Sequence, residues 1–127
     1  MPPKKRPSLP NESTHYHRGC VAEDAACAWL CERNYTILAR RMRTPYGEID
    51  IIARCDDVVA FIEVKSRPSL DEALHAITPK QRQRIINAAL HYLSTHILED
   101  DMRFDVIAIN HQHDIMHLPN AWEAILS

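Results

Sequence analysis

Two stretches with helical periodicity, and runs of β-branched residues between and after them, predict an α/β fold. The expected core is a central mixed sheet of four to five strands flanked by helices, in the order α-β-β-β-α-β-(β)-α. Residues 1–14 stand outside this pattern. They are rich in proline, carry Lys4, Lys5 and Arg6 together, and read as a disordered basic tail or as an arm that touches phosphate. Residues 15–127 read as one domain, a length that allows a real but modest core.

Composition narrows the classes. With 25% charged and 46% hydrophobic residues, the body matches an ordinary soluble globule. A net charge of −2 argues against a general DNA-coating protein. The distribution is more telling: residues 40–84 carry nine basic and seven acidic side chains, whereas residues 85–127 carry one and six. A nucleic-acid surface would therefore lie before residue 85. No apolar run reaches membrane-spanning length, and MPPKKRPSLP lacks the apolar centre of a signal peptide. The expectation is a cytoplasmic chain whose four cysteines stay reduced.

The first helix is expected over Arg18–Arg33, with Ala22, Ala25, Ala26, Trp29 and Leu30 as its apolar stripe and Asn34 as its left-handed end. Glu23 borders that stripe and can reach a site on the sheet or remain a solvated first-turn acid. Asp24 points to the polar side. Cys20, Cys27 and Cys31 lack the short hooks of zinc sites and read as small core residues. Tyr35–Arg43 is the first strand, ending in Arg40, Arg41 and Arg43, which either hold phosphates or solubilise the strand end. Pro45-Tyr46-Gly47 makes the next turn.

Gly47–Arg54 and Val58–Ser66 then form a hairpin about Asp56-Asp57. Alternation places Glu48, Asp50 and Ile52 on one face and Ile49, Ile51 and Ala53 on the other. With Asp56 and Asp57 as the loop, Asp50 faces Glu63 and Glu48 faces Lys65. Opposed carboxylates at about 5 Å repel by roughly 3 kcal/mol at an effective dielectric near 20. A shared proton, open water or a divalent cation beside Lys65 would each offset that. An ordinary hairpin with one wet face is the simpler account. Ile52, Val59 and Phe61 among the acids favour a cleft floor.

Residues 67–77 read as a loop or partial helical turn. Thr78-Pro79-Lys80-Gln81 opens a helix to about His96, with Thr78 as cap and Gln81 as its reciprocal partner. Ile85, Ile86, Ala89, Leu90, Leu93 and Ile97 form its stripe, and Lys80, Arg82 and Arg84 occupy its first turns as phosphate contacts or as solvated cations. Arg103–Asn110 is an internal strand, expected to run parallel to a hairpin strand across the preceding helix, with Asp105 structural or supporting the site. His111, His113 and His117 are spaced for a turn and short last strand rather than for a metal. Ala121–Leu126 is read as a terminal helix.

Asp50 followed by Glu63-Val64-Lys65 resembles the PD-(D/E)xK nuclease superfamily. More narrowly, Gly19 to Glu23-Asp24, Tyr35-Thr36-Ile37-Leu38, Gly47-Glu48-Ile49-Asp50, Phe61 to Lys65, Lys80–Arg84 and Arg103-Phe104-Asp105-Val106 resemble the YraN-like bacterial family, whose fold is similar to Holliday-junction resolvases. The likeness spans about residues 18–110. Asn34 stands where the family usually has Gly, and Ile49 where the superfamily has Pro. The resemblance implies a restriction-endonuclease-like sheet and a DNA phosphodiesterase using Mg²⁺ or Mn²⁺. Asp50 and Glu63 would hold the metal, with the Val64 carbonyl, and Lys65 would position the attacking water. Glu23 matches the acid of the first helix, as a further metal ligand, and Glu48 would partner Lys65. Arg40, Arg41, Arg43, Arg67, Lys80, Arg82 and Arg84 would contact DNA, branched or flapped, and a homodimer follows by analogy. Two other classes stay open: a nucleic-acid-binding module that does not cut, and a protein-docking adaptor.

Overall fold

In a computed structural model, residues 10–96 and 99–123 are described, with side-chain surroundings from Cys20 onward. The order is α1 (Pro10–Glu32), β1 (Thr36–Thr44), β2 (Gly47–Cys55), β3 (Val58–Ser66), α2 (Leu70–Leu74), α3 (Pro79–Thr95), β4 (Asp101–Ile109) and β5 (Ile115–Trp122). The five strands lie in sequence order across one sheet, antiparallel except for the parallel β3–β4 pair. The α2–α3 segment supplies the crossover that a parallel pair requires. Ala22, Ala26 and Leu30 of α1 cover one face against Ile51, Ala53, Ala60, Ile62, Ile107 and Ile109. Ile85, Ile86, Ala89 and Tyr92 of α3 cover the other against Ile49, Ile52, Phe61, Phe104 and Val106. A mixed sheet between helices is the predicted α/β class, arranged as in restriction-endonuclease-like proteins.

Local signals account for most boundaries. Tyr35 N donates to Leu30 O (3.0 Å) and Asn34 N to Cys31 O (3.2 Å), with Asn34 at φ 68, so the helix ends on the left-handed residue expected of it. Thr78 accepts from Gln81 N while Gln81 accepts from Thr78 N, the reciprocal cap that opens α3. The hairpin has the predicted register, from Cys55↔Val58 to Ile51↔Ile62.

Other boundaries differ. α1 starts at Pro10 rather than Arg18, overlapping the stretch read as a tail, whose residues 1–9 lie outside the described part. Residues 70–74 complete a short helix where a loop or partial turn was expected, capped by Ser69 on Glu72 N. On α3, Leu90 is exposed and Ala88 and Tyr92 are buried instead, while Ile97 lies outside the described residues. Ala121 and Trp122 are strand, not the start of a terminal helix. Trp122 stacks on Phe104 across β4, ring centroids 5.5 Å apart, and this burial prolongs β5; residues 124–127 lie outside the described part. None of the three α1 cysteines is fully buried, and Cys31 is exposed, so they border the core rather than fill it.

The alternation predicted for β2 fails at Asp50. Ile49 and Ile52, three apart, both pack in the α3 layer, which a regular strand forbids. β1 slips beside it. Ala39 and Met42 share that layer, Arg41 adopts φ 50, and an earlier irregularity falls between Ile37 and Ala39. Slipping together preserves the strand pairing and breaks the alternation of both strands at one level.

A candidate acidic cleft at the fork of the central hairpin

β2 and β3 stay paired only up to Ile51↔Ile62 and then part. Asp50 and Glu63 stand at the fork. The Val64 amide, which a continuing ladder would pair with a β2 carbonyl, donates instead to Asp50 Oδ2 at 2.9 Å. That contact orients Asp50 across the gap. Glu63 is buried. Burial first, then the nearby Asp50 charge and a hydrogen bond with Asp50, push the Glu63 carboxyl up to about 9, against weaker pulls from Lys65 and Arg84. Of the three ways to relieve opposed carboxylates, this upward push favours retention of a proton at Glu63.

A cleft of about 820 Å³ opens here, lined by Glu23, Glu48, Asp50, Glu63, Lys65, Arg67, Arg84 and His111 among others. Gly47 makes room for one wall. Its φ is +132, and a Cβ there would lie 2.9 Å from Arg84 Cδ, so the arginine stem crosses directly over the glycine. Lys80 and Arg84, four residues apart on one face of α3, also line an adjoining depression of about 600 Å³ with Tyr46.

The predicted basic residues divide into two groups. Lys65, Arg67 and Arg84 line the cleft, and Lys80 extends it. Arg82 does not join them. Two residues from Arg84 on a helix, it faces away and lies over the Trp122 ring, 5.7 Å from the centroid. The β1 arginines meet acids rather than an open surface: Arg40 Nη2 lies 2.6 Å from Asp24 Oδ1, and Arg41 Nε 2.6 Å from Glu23 Oε2. The slip in β1 accounts for this, because it turns two consecutive arginines towards α1. Arg43 is almost wholly exposed, 3.8 Å from Glu48, so the ion pair of Glu48 is with Arg43 rather than with Lys65.

Glu23 lines the cleft as expected, with its carboxylate held by Arg41, which also donates to Cys20 Sγ at 2.9 Å. Among the described residues, no three His, Cys, Asp or Glu side chains form a ready-made ligand set. Asp50 and Glu63 are the two acids brought together. Two carboxylates with a cleft open to water suit a magnesium-type ion, which keeps several waters and takes one or two carboxylates from the protein. His111 lines the cleft and was not anticipated there; its position after β4, level with the end of β3, is the only signal in the sequence.

Asp105 lies elsewhere, fully buried on the α1 side of β4. Arg103 binds it through Nε (2.8 Å) and Nη2 (2.9 Å), His117 Nε2 donates at 2.7 Å and the Asn120 amide at 2.9 Å. Its role is structural, and His117 serves it rather than a metal.

Fold and cleft together define an α/β protein of restriction-endonuclease-like arrangement with paired acids at a forked hairpin. The family described as "Uncharacterised protein family UPF0102" matches residues 22–109, and the chain belongs to it. A UPF0102 protein of Bradyrhizobium sp. (strain BTAi1) is 47% identical over 121 residues, covering 94% of this chain and 89% of its own. One from Rhodopseudomonas palustris (strain BisA53) is 47% identical over 120 residues, covering 93% and 92%. One from Nitrobacter winogradskyi is 50% identical over 111 residues, covering 86% and 94%. No helix among the described residues is long and apolar enough to cross a membrane.

Proposed function

We propose that this protein is a metal-dependent endonuclease that hydrolyses DNA phosphodiesters, with branched or flapped DNA as its preferred class. The observation that carries the reading is the Asp50–Glu63 pair at the strand fork, where the buried Glu63 carboxyl faces the half-buried Asp50 across a cleft and is pushed upward by burial and by the Asp50 charge. Asp50 and Glu63, with the Val64 carbonyl, would hold Mg²⁺ or Mn²⁺. Bound there, the ion would polarise a phosphoryl oxygen and lower the pKa of a coordinated water. Lys65 would orient the attacking water or neutralise charge developing on the phosphate. Arg67, Arg84 and Lys80 track the backbone on either side, which is positioning rather than base reading. Glu23 would join through water, or directly once Arg41 releases it.

Asp50→Ala tests this. Weak Mn²⁺ binding, followed by NMR line broadening around residues 23, 50, 63 and 65, is expected to vanish. Cleavage of flapped DNA should fall by at least about a thousandfold, on the order of 4 kcal/mol in barrier, while the circular dichroism spectrum is unchanged. Cleavage at the wild-type rate would end the proposal. A second reading, binding without cleavage, draws on the Arg41 clamp that keeps Glu23 from the acid pair. It requires DNA retention in EDTA and in Lys65→Ala alike.

A further inference from the structure

A second cavity of about 320 Å³ opens beside the cleft and shares Ala22, Ser66 and His111 with it. Its character is different. Val21, Ala22, Ala25 and Ile109 give it an apolar floor, and His111 and His113 stand at its rim. Among the described residues, no Asp, Glu, Lys or Arg lines it, although the adjoining cleft carries acids and cations together. We infer that this annex is a subsite for one unpaired nucleobase of the strand whose phosphate lies in the cleft. The inference rests on the phosphodiester reading of the cleft and specifies its substrate: a strand with bases free to leave the stack.

Charge and continuity identify the occupant. A ligand spanning both cavities must be anionic at one end and neutral, flat and mostly apolar at the other, as a nucleotide is. Base and phosphate are joined through one sugar, so a base site must adjoin a phosphate site, as the shared residues require. The volume also falls at the small end for ligand pockets.

The polar groups at the rim argue against reading base identity. Asn110, the one side-chain amide among the described residues at this wall, has its side chain committed: Oδ1 accepts from Gln112 N (3.0 Å) and Asp114 N (2.8 Å), and Nδ2 donates to Asp114 Oδ2 (2.9 Å). Ser66 and the two imidazoles remain, and they can meet any base edge or lie against its ring. Such a site favours stacking over sequence, as in sequence-tolerant single-strand binders. Continuous duplex, whose bases are already stacked and paired, gains nothing from it.

The test is fluorescence anisotropy with a labelled forked duplex, at low salt and with Ca²⁺ as the divalent ion. The same fork with abasic residues in its unpaired arm and a fully paired duplex serve as comparisons. The base-bearing arm should bind wild-type protein about tenfold more tightly than the abasic arm. Val21→Gln, which crowds the floor from an exposed helix position, and His113→Ala should each remove most of that difference and leave abasic affinity unchanged. Melting curves would establish that both variants fold. Equal affinity of wild type for base-bearing and abasic arms overturns the subsite and leaves the cleft reading standing. So does a loss in the variants that is the same for both arms. Failure of all three DNAs to bind overturns the subsite and the cleft reading together.

Discussion

Asp105 and Glu63 are both buried carboxyl groups on neighbouring central strands, Asp105 level with Ile62 and Glu63 with Val106, and the fold treats them oppositely. Burial would push Asp105 up, but hydrogen bonds from His117, Arg103 and the Asn120 amide outweigh it and hold the carboxyl below its ordinary value. Glu63 has burial, a like charge and no comparable set of donors, so its carboxyl rises to about 9. A fold able to surround one acid with an arginine, a histidine and an amide has left the other beside a second acid. Unsatisfied burial of that kind costs stability and is found where chemistry requires it.

The largest stability effect should come from the satisfied site. Asp105→Ala leaves the partly buried Arg103 cation and the Asn120 amide without their acceptor, which costs about 3–5 kcal/mol. Chemical denaturation would measure it, and Mn²⁺ affinity of the folded fraction should be unchanged. A loss below about 1 kcal/mol would mean that the two acids are not the opposites described here.

Glu63→Gln should do the reverse. A carboxyl raised from 4.5 to about 9 contributes stability that is fully present below pH 4.5 and is lost as pH rises through 9. Metal-free wild type should therefore melt at falling temperatures from pH 5 to pH 9. The glutamine variant, neutral throughout, should nearly match it at pH 5 and melt at least about 5 °C higher at pH 9, on the order of several °C per kcal/mol, with divalent-ion binding gone. Differential scanning calorimetry in EDTA across that range decides the matter; parallel curves for the two proteins would remove the proton from the account of the cleft.

What the sequence made legible was set by short-range rules. Asp56-Asp57 between two β-branched runs fixed the register that brings Asp50 level with Glu63, and Thr78-Pro79-Lys80-Gln81 located α3. Lys80 and Arg84 share a face by helical spacing alone, whereas Arg82, expected beside them, lies over Trp122 instead. The rest depended on tertiary contacts. The coupled slip of β1 and β2, with Arg41 at φ 50, breaks the alternation on which face assignments rest. Nothing local in Arg40-Arg41 marks them as partners of Asp24 and Glu23. Trp122 and His117 likewise owe their places to Phe104 and Asp105, across a turn that composition alone describes poorly.

Arg41 is where that missed slip meets the cleft, and it sharpens the contrast between the satisfied acid and the unsatisfied pair. Its 2.6 Å contact with Glu23 is partly buried, so Arg41→Ala should cost about 1–2 kcal/mol in denaturant unfolding, less than Asp105→Ala. If the clamp withholds Glu23 from the acid pair, the variant should also bind Mn²⁺ several-fold more tightly, because a third carboxylate becomes available. Unchanged Mn²⁺ affinity would confine Glu23 to a structural role.

The smallest effects belong to the cleft's rim. Arg67 is exposed, its guanidinium resting on the Ser66 carbonyl at 2.8 Å, and Lys80 is exposed at the start of α3. Neither supports the core, so Ala at either should change stability by less than about 0.5 kcal/mol. Each contributes one cation to a phosphate track. Each removal should therefore lower DNA affinity modestly and reduce the slope of log affinity against log salt by about one. Arg82→Ala, on the opposite face of the same helix, should leave that slope alone and instead loosen Trp122. Titrations of the three variants over the same salt range separate the rim from the core, and equal slopes for all three would displace the DNA path from this side of α3.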